Sequence, residues 1–435
     1  MIKDTQTCDL MVMGSGFAGM AAALFAANRG LKVALCGSTG GIDFSTGLID
    51  LMGVHPVEKG VYWDDPWAAR QALIEDMPTH PYARVSHEHT RQAIEEFCHF
   101  LAQQGLPYTG RAETNVRILT PLGTVKPTHK VPVSAWQGVL ALEAKAPTLI
   151  VDFDGLKGFS GRQMVENQGT NWPGLRTATI EFPGCAGELY PEHLAWMMND
   201  AALREQLAKR ILALGHDTRY IGFPAILGLT EPTRIIQHLQ ALTGKTIFEI
   251  PTLPPSIAGT RLRQAFDRGL PAKNVCTFSQ KMALDAHVPA GPNEPFVFHL
   301  GKSRPEITVQ ARFALLATGR FLGKGLKADR TTVRETVFDL PVTQPGPRTA
   351  WHNQTFLHPQ GHPINRCGLE TDAAMHPTDS SARPIHPRLF AAGAILAHHD
   401  WMRMKCGAGL ALATAFQAVA HICEHNKAQG NPWIS

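Results

Sequence analysis

Charged residues are scarce in this 435-residue chain, at 18%, against about 25% in ordinary soluble domains. With 44% hydrophobic residues the deficit implies extensive buried surface, either a large core or interfaces with other chains. The 41 Lys and Arg against 37 Asp and Glu give a net charge of +4, spread without a basic block, so no nucleic-acid partner is expected. The eight cysteines (Cys8, Cys36, Cys98, Cys185, Cys276, Cys367, Cys406, Cys423) contain no CxxC pair. That scatter excludes the usual iron–sulfur and zinc-ribbon spacings and a disulfide framework, and a reducing, cytoplasmic compartment is the default. No signal peptide is expected, because no cleavage site follows an apolar region near the start. The best membrane-span candidate, Gly407 to Cys423, falls short of the roughly 20 residues a span needs and contains Gln417 and His421. A buried helix is the better reading of it. Repeats, low-complexity tracts and a recognisable His/Arg catalytic motif are also missing, so catalytic residues stay unassigned.

What is present is glycine in particular places. GSGFAG, comprising Gly14, Ser15, Gly16, Phe17, Ala18 and Gly19, follows the apolar run Asp9–Met13 and opens an Ala-rich helix. A strand, a Gly-rich turn and a helix N-terminus together form a phosphate cradle. Gly14 serves the tight turn, Gly16 the approach of a pyrophosphate and Gly19 the packing of helix on strand. A second strand, Lys32 to Cys36, leads into a Gly/Ser/Thr-rich loop ending at Gly47.

Helical spacing follows over 87–104, and TPLGT (Thr120 to Thr124) reads as a turn. From about Pro147 the pattern restarts. Strands at Thr148–Phe153, Arg176–Phe182 and Tyr220–Phe223 alternate with helices at Pro191–Leu214 and Pro232–Leu242, and PTLPPS (Pro251 to Ser256) closes the unit. A helix from Ile257 to Arg268 and several short strands come next. The expected architecture is α/β: a Rossmann-like flavin-binding domain of the two-dinucleotide-binding flavoprotein type, built from 1–146 and 251–435, with 147–250 inserted as an α/β cap.

Three Gly-centred turns end apolar strands: GSGFAG, ATG with Thr318 and Gly319, and AAG with Gly393, followed by a helix opening Gly407, Ala408, Gly409 and Leu410. In doubly wound sheets such turns converge on one ligand, and a helix N-terminus stabilises negative charge on a reduced flavin. The loop residues Phe44, Ser45, Thr46 and Gly47 lie just past the second strand. They either bind flavin or cap a helix starting near Leu48.

The usual adenosine-ribose carboxylate, roughly 20 residues after the glycines, is missing at Cys36-Gly37-Ser38. That weakens NAD and favours FMN over FAD, although the hydroxyls of Ser38 or Thr39 are substitutes. Asp152 and Asp154 face one way if both lie on a strand, but Asp154-Gly155 reads as a turn. His398, His399 and Asp400 are too close in sequence to be expected as a metal site, and no metal is expected. Arg261 and Arg263 either hold a phosphate or lie on a solvated helix face.

The segments GSGFAG, FSTGLIDL (Phe44 to Leu51), TPLGT, DGLKGF (Asp154 to Phe159), IPTLPPSIAGTRL (Ile250 to Leu262), ARFALLATGRFLGKGL (Ala311 to Leu326), LFAAGAIL and CGAGLA resemble the B subunit of anaerobic glycerol-3-phosphate dehydrogenase over nearly the whole chain. The resemblance implies a flavin, usually FMN, and a separate FAD-containing catalytic subunit that oxidises glycerol 3-phosphate. It also implies an iron–sulfur membrane-docking subunit that holds the pair peripherally on the inner face of the cell membrane, with quinone receiving the electrons. Lys324, Lys405, His398 and His399 depart from the small residues or compact turn of that family. The rivals are an independent FAD-dependent or fumarate-reductase-like enzyme acting on a small anion, and a structural partner with an empty flavin fold.

Overall fold

The computed structural model describes residues 5–38, 41–215 and 217–429. The chain opens with β1 (Thr5–Met13), α1 (Phe17–Asn28) and β2 (Val33–Gly37), then α2 (His87–Gln103). A second group of strands follows: β3 (Thr148–Phe153), β4 (Leu175–Ile180), β5 (Tyr220–Pro224) and β6 (Thr246–Ile250). After α3 (Ile257–Gly269) come β7 (Cys276–Ser279), β8 (Met282–His287), β9 (Phe296–Gly301), β10 (Ile307–Leu316), β11 (Leu389–Ala391) and α4 (Gly407–Gln429).

The first sheet runs β7-β2-β1-β10-β9-β8, with β11 also on β10. β1 lies in its centre and pairs in parallel with β2 (Leu10 opposite Val33) and with β10 (Leu10 opposite Phe313). Both faces of its second half are covered, which is why Leu10, Met11, Val12 and Met13 are apolar without alternation. β10 is long enough to change partner. Its first half carries antiparallel β9 and its last three residues carry parallel β11. The two chain ends therefore share one sheet, and α1 packs against α4 over it, with the apolar length of α4 spent on protein contacts. Among the described residues no helix is long and apolar enough to cross a membrane.

The second sheet, β6-β5-β3-β4, is parallel throughout. Its core also takes Ala141 and Leu142 from the helix Val133–Ala144, and Leu119 beside the TPLGT turn. That turn joins the small hairpin Val116–Leu119/Val125–Thr128. The continuous helix expected over Pro191–Leu214 is instead two helices, Pro191–Met197 and Ala201–Ala213. Asp200 leaves the helical conformation (ψ 123°) and its carboxylate accepts from Ala202 N at 2.9 Å, so an N-cap interrupts the run.

α3 and β6 are tied by a buried ion pair. Arg261 donates to both oxygens of Glu249 at 2.6 and 2.8 Å and to Gly228 O at 2.8 Å, and both side chains are 3% exposed. Glu249 also accepts from Leu227 N at 2.7 Å. Arg261 is therefore neither solvated nor free for a phosphate, and Arg263 is committed to Asp43 at 2.8 Å. Removing one partner of such a pair strands a buried charge at a cost of about 3–5 kcal/mol. An Arg261→Met or Glu249→Gln variant is expected to lose that much stability in urea denaturation, and the double variant to recover part of it.

Candidate functional site

A cleft of about 720 Å³ opens at the carboxyl ends of β1, β2 and β10. Its floor is the GSGFAG turn. Gly14 has φ +114° and donates to Cys36 O at 2.7 Å, and a Cβ there would lie 2.2 Å from Ala317 O. Only glycine fits where β1, β2 and β10 come this close. Gly16 is the N-cap of α1 and carries no side-chain cap, and the first turn has no acidic residue. A Cβ on Gly16 would meet nothing nearer than Gly41 N at 3.8 Å, so the position faces open cleft. This is an uncapped positive helix end beside free space, the arrangement an anion uses.

Fourteen of the residues expected from sequence line this cleft: Gly14, Ser15, Gly16, Phe17, Ala18, Ser38, Phe44, Ser45, Thr46, Thr318, Gly319, Gly407, Ala408 and Leu410. Four do not, and each serves the protein's own packing. A Cβ on Gly19 would lie 1.7 Å from Gly14 O, and one on Gly47 2.5 Å from the Ala258 side chain. Gly393 donates its amide to Thr414 Oγ1 at 2.9 Å, and Gly409 donates to Asp50 O at 2.8 Å. Thr39 lies outside the described residues. Ser15 Oγ donates to Ser38 O at 3.0 Å, closing the turn against the end of β2.

The loop after β2 starts no helix at Leu48. Ile49 instead bridges Lys130, and Gly41–Phe44 forms a single 3-10 turn. Ser45 Oγ is spent on Ile42 O at 2.8 Å and accepts from Gly47 N at 3.3 Å. Ser256, the N-cap of α3, donates to Ser45 O and holds the loop from outside. Of the loop's hydroxyls, those of Ser38 and Thr46 stay uncommitted among the described residues.

The far wall holds residues that sequence reasoning missed as lining: Asp50, Arg320, Trp401, Met402 and the Met282–Leu284 stretch. His399 and Lys324, noted there only as departures, also line it. Arg320 directly follows the ATG turn, which is the one signal that could have found it. Its guanidinium donates to the carbonyls of Asn365, Leu396 (2.8 Å) and His399 (3.0 Å), while Nε has no partner. Burial lowers its pKa to about 10, so it stays charged at neutral pH.

Thr318 Oγ1, Asp50 Oδ1 and both ring nitrogens of His399 are likewise buried without partners. Buried polar atoms are normally paired. Their gathering around one cleft fits a polar cofactor with donors and acceptors along its edge, and a flavin is such a group. The first turn of α4 contributes too: Leu410 donates to Cys406 O and Gly409 to Asp50 O, which leaves the amides of Gly407 and Ala408 uncommitted among the described residues.

The remaining polar candidates are accounted for by local partners. Asp152 accepts from Phe153 N and Gly161 N, both at 2.8 Å, and burial raises its pKa. Asp154 is exposed in the turn after β3. His398 pairs with Glu370, while Asp400 caps the turn Trp401–Met404 and accepts from Asn365 at 3.2 Å. Lys405 lies outside the lining and is half-buried, and burial followed by Lys126 lowers its pKa.

Fold and cleft define a flavoprotein of the FAD-binding type. A family model described as FAD binding domain matches residues 9–410. The chain is 30% identical over 426 residues to the probable B subunit of anaerobic glycerol-3-phosphate dehydrogenase from Halobacterium salinarum, covering 94% of this chain and 96% of that one. It is 29% identical over 429 residues to the B subunit from Vibrio cholerae serotype O1, covering 95% and 96%. The chain belongs to the family of anaerobic glycerol-3-phosphate dehydrogenase B subunits, which are parts of an oxidoreductase. Among solved structures, 3-ketosteroid delta1-dehydrogenase from Sterolibacterium denitrificans is similar with a TM-score of 0.43 and 13% identity, over 97% of this chain and all of that one.

Two histidines by the cleft make the fold acid-sensitive. His80 is fully buried, and burial followed by the nearby His398 pushes its pKa from 6.5 down to about 3. Burial and Arg320 push His399 well below its usual value. Below pH 6.5 the unfolded chain binds protons that the folded histidines refuse, so their stabilisation is complete above that pH and shrinks as pH falls towards 3. His80 alone accounts for about 2 kcal/mol of loss at pH 5. Urea midpoints measured from pH 8 to 4 are expected to fall below pH 6.5, and less steeply in a His80→Gln variant.

Proposed function

We propose that this chain is the flavin-carrying subunit of a glycerol-3-phosphate:quinone oxidoreductase. In this reading it stands between two other chains. One is an FAD-containing catalytic subunit, which oxidises glycerol 3-phosphate to dihydroxyacetone phosphate. The other is an iron–sulfur subunit that docks the whole peripherally on the inner face of the membrane. The observation that carries a bound flavin is the ring of unpaired buried polar atoms, on Asp50, Thr318, Arg320 and His399, around a cleft that two helix N-termini enter. The names of the relatives support a place in an assembly of several subunits.

When bound, a flavin takes up two electrons together and releases them singly. The residues present need only hold it. The α1 N-terminus at Gly16 receives phosphate, the amides of Gly407 and Ala408 and the charge of Arg320 favour the reduced form, and Phe44, Leu322, Trp401 and Met402 limit water at the mouth. The insert over 147–250 is a fixed cap in this reading, because the Arg261–Glu249 pair ties it to α3.

FMN is the flavin we infer, because no carboxylate stands at Cys36-Gly37-Ser38 to hold an adenosine ribose. FAD is the second reading. It is supported by the family match and by the reach of the cleft to those same residues. Mass spectrometry of the flavin released from the denatured chain is expected to give FMN. FAD in its place overturns that choice, and no flavin after reconstitution overturns the flavin reading.

Glycerol 3-phosphate added to the purified chain is expected to leave its flavin oxidised until the FAD-containing subunit is supplied. Reduction by the chain alone would favour an independent dehydrogenase acting on a small anion. A Gly16→Leu substitution places a side chain where the phosphate would sit. Its flavin affinity is expected to fall by about tenfold or more, some 1.4 kcal/mol, read by flavin fluorescence on a chain with native circular dichroism.

A further inference from the structure

Among the described residues, His399 is the one buried side chain with two polar atoms that lack partners. A neutral imidazole offers one donor and one acceptor, and here neither makes a full hydrogen bond in the wall of the cleft, with the Leu396 carbonyl close to the ring. The backbone of the residue is nonetheless fixed, since its carbonyl accepts from Arg320 at 3.0 Å. Its neighbour His398 is engaged by Glu370 and does not compete for the same space.

The ring that faces His399 belongs to His80, which is fully buried and has its centroid 6.1 Å away, with the two planes at 75°. Nδ1 of His80 accepts the backbone N–H of Tyr82 at 3.2 Å. The His80 proton therefore sits on Nε2, and that nitrogen has no partner. The two rings make no direct hydrogen bond to each other, and one water can join two such nitrogens.

We propose that His80 sets the tautomer of His399 so that His399 presents an N–H to the flavin. His80 Nε2–H donates, through the bridging water, to the nearer nitrogen of His399, whose own proton is thereby held on the nitrogen facing the cleft. His399 is then a cofactor-contacting residue and His80 a positioning residue. A donor on the ring edge favours the reduced flavin, which carries more negative charge, and Arg320 strengthens the effect as a fixed cation beside it. The inference rests on the flavin reading above and goes beyond it in naming what tunes the cofactor.

The test is flavin content and midpoint potential of the full chain, reconstituted with FMN and in parallel with FAD. His399→Leu is expected to keep its flavin and to weaken the preference for the reduced form about tenfold, a fall of about 30 mV for a two-electron couple. His399→Gln, which retains a donor, restores most of that shift. His80→Leu moves the potential the same way by less.

In the native chain labelled with ¹⁵N-histidine, the protonated nitrogen of His399 is expected to change shift on flavin binding, a readout that does not depend on any variant folding. A flavin-loaded His399→Leu with the native potential overturns the proposal, as does a His399 signal unmoved by bound flavin. A chain that takes up neither flavin overturns the flavin reading instead.

Discussion

The parallel pairing of β1 with β10 is the constraint from which the rest of this structure follows. It places residues 5–13 beside residues 308–316 in register, so the GSGFAG turn and the ATG turn end at the same level of one sheet. Gly14 can exist there only as glycine, because the backbone of Ala317 occupies the space a Cβ would need. With that contact made, β11 adds to the free end of β10 and α4 is delivered with its first turn at the cleft. The floor of the cleft and its α4 edge trace back to this one ladder.

The second sheet stands apart from that ladder and is fastened to it. Arg261 reaches from α3 across to Glu249, Gly228 and the loop that follows β5, and Ser256 at the start of α3 fastens the loop ending in Gly47. One helix thus grips the second sheet at one point and the cleft loop at another.

The features most legible in the sequence were those that depend on local backbone geometry. Glycines at Gly14, Gly16 and Gly319 and the apolar β1 declare themselves because few other residues suit those positions. The return of the chain to its first sheet was also readable, from strands that end in small-residue turns. Less legible was whatever depends on partners distant in sequence. Arg261 looks like a surface residue until Glu249 is seen opposite it. The break at Asp200 turns on one carboxylate choosing the backbone of Ala202. His399 meets Arg320 and the ring of His80, more than 300 residues earlier, and no spacing rule links them. Gly393 and Gly409 show the opposite error, since they sit in the right turns but give their amides to Thr414 and to Asp50 O.

Because β1 has β2 on one edge and gains its other partner only in β10, it is made long before it is completed. At a synthesis rate of about 5–20 residues per second, the roughly 300 residues between them take about 15–60 seconds to emerge. During that interval the central strand of the future sheet waits with one edge uncovered, beside β2 alone. α4 leaves the ribosome later still. The cleft is therefore complete only once α4 has been made, and until β10 arrives the uncovered edge of β1 is open to other chains.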